Sequence, residues 1–286
     1  MSNIGVQLND RPLGHKITGL DLSRDISDTE FDELSQLYER YGVIVVSGQT
    51  LSSEQQIRFS QRFSELVRFP MEQFNLADYP DILVVSNVIE NGKPIGVGDA
   101  GRCWHTDMWY TDAPPRGSLL YALEVPVENG RALGDTMFAS TSHAYDTLPA
   151  DTKKFLEGRM ATFSHDYHAE WRASQAVSEK SAARKTRSET SIPDNRHPLV
   201  KIHPKTGRKC LYVSEGAIIA IDGMERADAM RLVDELLQHV TRDDVVYRHN
   251  WGVGDLLMWD NYSCLHCAIG DFPASLRRRM HRTTIR

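Results

Sequence analysis

The chain has only four cysteines, Cys103, Cys210, Cys264 and Cys267, in 286 residues. Their number and spacing make no disulfide framework, which excludes the small secreted scaffolds stapled by such bonds. Cys264 and Cys267 form a C-x-x-C, but a zinc knuckle needs a second close pair, and Cys103 and Cys210 stand far apart. These read as small buried thiols on a strand. Long apolar runs are also missing. The longest aliphatic burst, Val43-Ile44-Val45-Val46, is far too short to span a bilayer. The stretch Met1-Ser2-Asn3-Ile4-Gly5 lacks a basic start followed by an apolar run, so no secretory signal and a reducing, cytoplasmic setting are expected. Positive charge is not in excess. At a formal net charge of -6, neither nucleic acid nor an anionic membrane surface is an expected partner; a small molecule is. No Walker or G-x-G-x-x-G pattern leads into a helix, so Gly92, Gly96, Gly98 and Gly101 read as a mobile access loop and not a phosphate cradle. No internal repeat and no linker divides the chain, so residues 1–286 read as a single domain, with homo-oligomer formation left open.

What is present is enough apolar side chain for a core, 41% of residues. Ser27 and Asp28 can cap a helix with Phe31, Leu34, Leu37 and Tyr38 on its apolar face, ended by Gly42. Val43 to Val46 follows as a buried strand. Ser52 or Ser53, with Gln55 and Gln56 placed for a capping box, starts a second helix whose face runs through Phe59, Phe63 and Leu66. Asp81–Val88 and Gly117–Val125 read as strands, and Gly134-Asp135-Thr136-Met137-Phe138 begins another. Short helices follow around Ser142–Leu148 and after Pro149. The segment from about 168 to 196 turns polar and reads as a lid-like insertion, either a solvated helix or a disordered stretch. Pro204-Lys205-Thr206-Gly207 makes a hairpin of Leu199–His203 and Lys209–Val213. Ala227–Val240 is an amphipathic helix, Val245–Arg248 and Leu256–Trp259 form an antiparallel pair, and Arg277–Arg286 alternates well enough for a last strand.

The chemistry gathers around Trp104-His105-Thr106-Asp107. On a strand, His105 and Asp107 would point to one face, so an imidazole and a carboxylate could reach one metal ion. The stretch Trp259-Asp260-Asn261-Tyr262-Ser263-Cys264-Leu265-His266 supplies a distant histidine. Two histidines and one carboxylate leave the opposite side of a metal open, which suits non-haem Fe(II). In the tail, Arg278, Met280 and Arg282 would share one strand face and Arg277, Arg279 and His281 the other. This is either surface charge on an edge strand or an arginine turned inward to hold a carboxylate. The interval from His266 to Arg278 allows a turn at Gly270–Ala274 and a return strand beside the first.

Trp104-His105-x-Asp107, Gly134-Asp135-Thr136, Trp259-Asp260-Asn261 with His266, and the run Arg277–Arg282, in this order over nearly the whole chain, resemble the taurine dioxygenase and phenoxyacetate-herbicide dioxygenase family. The resemblance implies a mainly β fold with flanking helices around a double-stranded β-helix (jelly-roll) core. It implies an enzyme using Fe(II), 2-oxoglutarate and O2 that hydroxylates a small, anionic substrate, releases succinate, and can cleave a carbon–heteroatom bond. It implies His105, Asp107 and His266 as catalytic metal ligands, Thr136 and Arg278 as holders of the distal carboxylate of 2-oxoglutarate, and Arg282 as a contact to the substrate's anionic end. Arg102, Met108, Trp109 and Tyr110 flank the metal motif and are further substrate-pocket candidates. Gly101 stands where taurine-using members carry an asparagine, which argues against taurine itself.

A second likeness, through Ser86–Lys93 and Leu211–Gly216, resembles family members that build isonitriles from N-carboxymethyl amino acids; those members lack the Gly-Asp-Thr form kept here. An isonitrile-forming oxidative decarboxylase on the same iron site is therefore an alternative. A non-catalytic jelly-roll protein holding a structural metal is another, of a different class. Against it stands the presence of all three ligand types together with both carboxylate-binding candidates.

Overall fold

The structure, a computed structural model, describes residues 3–98, 101–175 and 192–286. Two local devices start the N-terminal helices. Ser27 accepts from the Glu30 N–H while the Glu30 carboxylate accepts from the Ser27 N–H, which opens the helix Asp28–Tyr41. Ser52 and Gln55 repeat the arrangement for Ser53–Gln61. Gly42, at φ 69°, ends the first helix by donating to the Tyr38 carbonyl. The second helix is shorter than its apolar spacing suggests. It stops at Gln61, and Phe63 and Leu66 pack from irregular chain, Leu66 in a bridge to Ile285.

Eight strands form the main sheet, in the order Gly5–Gln7, His15–Thr18, Val43–Val46, Leu256–Asp260, Gly117–Glu124, Arg279–Ile285, Tyr79–Ser86, Asn75–Leu76. All neighbours are antiparallel except His15–Thr18 and Val43–Val46. Alternate residues divide between two cores. Ile44, Val46, Leu119, Tyr121 and Met258 pack under the two helices against Leu34, Tyr38 and Phe59. Val43, Val45, Leu120, Leu257 and Met280 face Phe138 and Cys264 of a three-stranded sheet, Tyr247–His249, Thr136–Ser140 and Cys264–Ala268. Burial on both faces explains the unbroken apolar run at Val43–Val46. A third core joins the helix Arg226–Val240 to the strands Met160–Phe163 and Ile218–Ile221.

Two expected strand pairings are corrected. Tyr247–His249 pairs with Thr136–Ser140, whereas Leu256–Asp260 pairs with Val43–Val46 and Gly117–Glu124, so the turn between them carries the chain from one sheet to the other. Likewise Arg279–Ile285 does not return beside Cys264–Ala268. It lies in the facing sheet between Gly117–Glu124 and Tyr79–Ser86. Both strands are largely buried, so their backbone N–H and C=O groups need partners on both edges, and a sheet centre supplies them. Within the expected insertion, 168–175 belong to the helix His165–Gln175 and 195–196 to the strand Asn195–Pro198; 176–191 lie outside the described residues.

Candidate metal centre

His105 and His266 face each other in one isolated antiparallel bridge, the His105 N–H donating to the His266 carbonyl at 3.1 Å and the His266 N–H returning to His105 at 2.9 Å. This directly opposed pairing sets the two imidazole centroids 4.1 Å apart. His105 and Asp107 do not share a strand, contrary to the expected reading. Only His105 bridges, and a turn begins at Asp107, with Met108 at a positive φ of 51°. Asn261 shapes that turn: its amide oxygen accepts from the Asp107 N–H and its amide nitrogen donates to the Asp107 and Pro115 carbonyls. Thr106 Oγ1 donates to the Asn261 carbonyl.

The result is a cluster between the two sheets. Ligand atoms of His105, Asp107 and His266 all lie within 4.8 Å of one another. Asp107 Oδ1 stands 4.0 Å from His105 Nε2 and 3.9 Å from His266 Nε2. Its Oδ2 accepts from Ser118 Oγ at 2.9 Å, and Arg282 Nη1 donates to Oδ1 at 2.9 Å. Burial alone would raise the Asp107 carboxyl; the charges of Arg282, His266 and His105, with the Ser118 bond, outweigh it and hold the carboxyl well below its ordinary range. Burial pushes His266 down to about 3, helped by the neighbouring charge of His105, and burial lowers His105 as well. His105 Nδ1 lies 2.8 Å from the Cys103 carbonyl, which fixes its proton there and leaves Nε2 as a lone pair. Two neutral imidazoles and one carboxylate thus aim unshared electron pairs at one point. No hydrogen bond joins them, and His266 Nδ1 is buried without a partner. A divalent cation fits this donor set; a hydrogen-bonded network does not.

Arg278 is 8% exposed, and among the described residues no carboxylate lies within ion-pair distance of it. Burial and the nearby positive charge of Arg102 bring its guanidinium down to about 10. It lies against Gly134, where an added Cβ would stand 3.2 Å from Arg278 Nε. Thr136 follows two residues on, its hydroxyl accepting from the Trp251 indole. Asp135 between them is paired with Arg248 and Asn250.

The substrate candidates separate. Arg282 sits at the metal cluster, with Nε buried and without a partner. Trp109 is 3% exposed and packs on Phe163 and His168 as part of a core. Tyr110 packs beside it against His165, Met108 is half-buried in the turn, and Arg102 lines the cavity that holds Arg278. Gly101 is required by space as well as by its φ of 70°, since a Cβ would approach His105 Cε1 to 3.0 Å. Sequence reasoning gave no role to Ser118, Asn261 or Trp251. Ser118 carried one faint signal, a small hydroxyl at the head of a largely apolar strand.

The family "Taurine catabolism dioxygenase TauD, TfdA family" matches residues 9–284. An alpha-ketoglutarate-dependent 2,4-dichlorophenoxyacetate dioxygenase of Cupriavidus pinatubonensis is 34% identical over 281 residues, covering 94% of this chain and 92% of that protein. A (S)-phenoxypropionate/alpha-ketoglutarate-dioxygenase of Sphingobium herbicidovorans is 33% identical, covering 91% and 87%. Among solved structures, AAD-2 in complex with Mn(II) and N-oxalylglycine superposes with a TM-score of 0.78 at 26% identity, covering 99% of this chain and 97% of that one. A taurine dioxygenase from Burkholderia xenovorans gives 0.78 at 26% identity, covering 99% and 89%.

Proposed function

The chain belongs to the TauD/TfdA dioxygenase family, and from that premise we propose that His105, Asp107 and His266 hold Fe(II), Arg278 and Thr136 hold the distal carboxylate of 2-oxoglutarate, and Arg282 meets the anionic group of a small substrate. The enzyme is an Fe(II)- and 2-oxoglutarate-dependent oxidoreductase that consumes O2. The loaded site supplies oxidative chemistry: decarboxylation of 2-oxoglutarate to succinate is coupled to hydroxylation of a substrate carbon.

The chain's own residues prepare that chemistry. Burial keeps both imidazoles unprotonated, and Arg282 keeps Asp107 ionised. Ser118 occupies Oδ2, so the carboxylate offers the metal one oxygen and leaves positions open for co-substrate and oxygen. Arg282 spends one nitrogen on Asp107 and retains a buried Nε, a donor suited to a carboxylate or sulfate oxygen. Tyr110, which feels the charges of Asp107 and Arg282, and Met108, next to Asp107 in the turn, are the residues we assign to the pocket wall. The supporting relatives act on anions by name, including a sulfate ester dioxygenase 28% identical.

The two facing, mainly antiparallel sheets support a double-stranded β-helix core, and the match over 9–284 supports one domain. No helix among the described residues is long and apolar enough to cross a membrane. Four buried free cysteines and the net charge of -6 support a cytoplasmic enzyme of small molecules.

One observation carries the reading: three ligand atoms converge with no hydrogen bond among them, beside Arg282. Its test is a screen of aryloxyacids, sulfate esters, sulfonates and N-substituted amino acids for substrate-dependent succinate release, with Fe(II) and 2-oxoglutarate added anaerobically beforehand. A visible absorption band on anaerobic loading and succinate release with one anionic class are expected. No band with the intact protein overturns the metal assignment.

A further inference from the structure

The buried indole of Trp251 has one polar group, and it is engaged by Thr136. Nε1 stands 3.0 Å from Thr136 Oγ1, and both side chains are buried. An indole N–H can only donate, so the hydroxyl accepts there. The Thr136 hydroxyl makes no other hydrogen bond among the described residues, so its own proton has no acceptor in the protein. Strand alternation turns Thr136 and Phe138 to one face, and Phe138 packs with Trp251 and Met280 in the core between the sheets. Arg278, two residues before Met280, lies against Gly134, two residues before Thr136. The indole is also held in place. The ring of His249, which pairs with Thr136 in the small sheet, packs edge-on to Trp251 with centroids 4.5 Å apart. His249 Nε2 lies 3.1 Å from Asp255 Oδ2, and the Gly252 N–H donates to the same oxygen at 2.8 Å, which ties down the chain on each side of Trp251.

We propose that Trp251 is a positioning residue that fixes the Thr136 hydroxyl as a donor and so makes the distal end of the co-substrate site select a carboxylate over a neutral amide of the same shape. The inference rests on the co-substrate reading above, in which Thr136 and Arg278 hold that carboxylate. Trp251 takes one of the three directions open around Oγ1 and bars the proton from it. The proton is then held for the ligand, and accepting from the indole strengthens the hydroxyl as a donor. Arg278 can only donate. An ionised carboxylate only accepts, so its two oxygens suit this lining. A primary amide brings N–H donors of its own. Turning the hydroxyl to accept from one of them would strand a buried proton.

The test reads binding and not turnover. Three ligands share a chelating oxalyl end and differ at the other: N-oxalylglycine ends in a carboxylate, N-oxalylglycinamide in the amide, N-ethyloxamate in a methyl group. Their dissociation constants are measured anaerobically by calorimetry on Mn(II)-loaded wild type, Trp251→Phe, Thr136→Val and the double variant. A further protein carries the benzothiophene analogue of tryptophan at position 251, which keeps the bicyclic volume and loses the N–H. The ratio of the amide's dissociation constant to the acid's is expected to fall about tenfold in each singly altered protein, the scale of one hydrogen bond to a charged group. In the double variant it should fall no further. N-ethyloxamate should bind throughout as in wild type, which certifies the fold; if Trp251→Phe loses it, the benzothiophene protein decides. A wild-type ratio in that protein, or falls that add in the double variant, overturns the proposal and leaves Trp251 a packing residue. A wild type that binds N-oxalylglycine no better than N-ethyloxamate sinks the co-substrate reading itself, and this inference with it.

Discussion

Among the described residues histidine and aspartate meet in several buried groupings, and two of them differ in what is left over. At the first, His203 Nε2 meets Asp260 Oδ2 at 3.1 Å, both side chains almost wholly buried. His203 Nδ1 accepts from the Lys205 and Thr206 N–H groups, and Asp260 Oδ1 accepts from the Tyr262 and Ser263 N–H groups and from Ser263 Oγ. Every strong donor and acceptor is used. At the second, His105, Asp107 and His266 keep unshared pairs pointed at one another. The first closes on itself and ties the hairpin at 200–211 to the strand Leu256–Asp260. The second is incomplete without a cation. Proximity of histidine and aspartate therefore says little by itself; hydrogen-bond saturation separates a brace from a binding site.

Breaking each grouping should expose the contrast. His105→Ala is expected to abolish succinate formation while far-ultraviolet circular dichroism and the urea midpoint of the metal-free protein stay close to wild type. Sustained turnover would move the metal elsewhere. Asp260→Ala should do the reverse, lowering the unfolding free energy by about 3–5 kcal/mol because it strands a buried histidine; a wild-type urea midpoint would remove the structural role. Ser118→Ala probes the boundary between the two kinds of site. Freed of that bond, the Asp107 carboxylate can rotate, and metal affinity should drop by about 10–100-fold with stability nearly unchanged. Competition titration with a chelating dye measures it. The smallest effect is that of mild acid on the metal-free protein. Burial holds His168 and His281 at about 4 when folded, below the ordinary 6.5, so the unfolded chain binds more protons as pH falls. Their contribution is complete above the unfolded value and is lost on the way down. Between about pH 7 and about pH 6 the loss should be on the order of 1 kcal/mol. Urea midpoints that stay level over that interval would mean these rings are solvated.

The parts of this architecture legible in the amino-acid order are those written locally or by unusual chemistry. Ser27 with Asp28 and Ser52 with Gln55 announced two helices because caps are made within one turn of chain; Glu30, which completes the first box, was not singled out. The metal cluster was legible because His105, Asp107, His266 and the arginine run recur together in a known order. Strand partnership was not. Leu256–Trp259 advertises burial on both faces but cannot name its neighbours, which lie over a hundred residues away in Gly117–Glu124 and over two hundred in Val43–Val46. Likewise, nearness in sequence to His105 gave no hint that the Gly270 backbone would receive the Arg102 side chain. Asn261 was visible as part of a motif, yet its work of holding the 106–107 turn depends on a contact across more than 150 residues.

The position of Arg279–Ile285 inside the large sheet bears on how a ribosome-bound chain would mature. Gly117–Glu124 and Tyr79–Ser86 are synthesised long before the strand that joins them, so each offers a bare edge through most of translation. The same late segment brings Arg282 to Asp107, and His266 emerges only shortly before it. Loading with iron and acquisition of a closed sheet are thereby set for nearly the same moment, and a chaperone that shields those two edges would guard the catalytic centre as well.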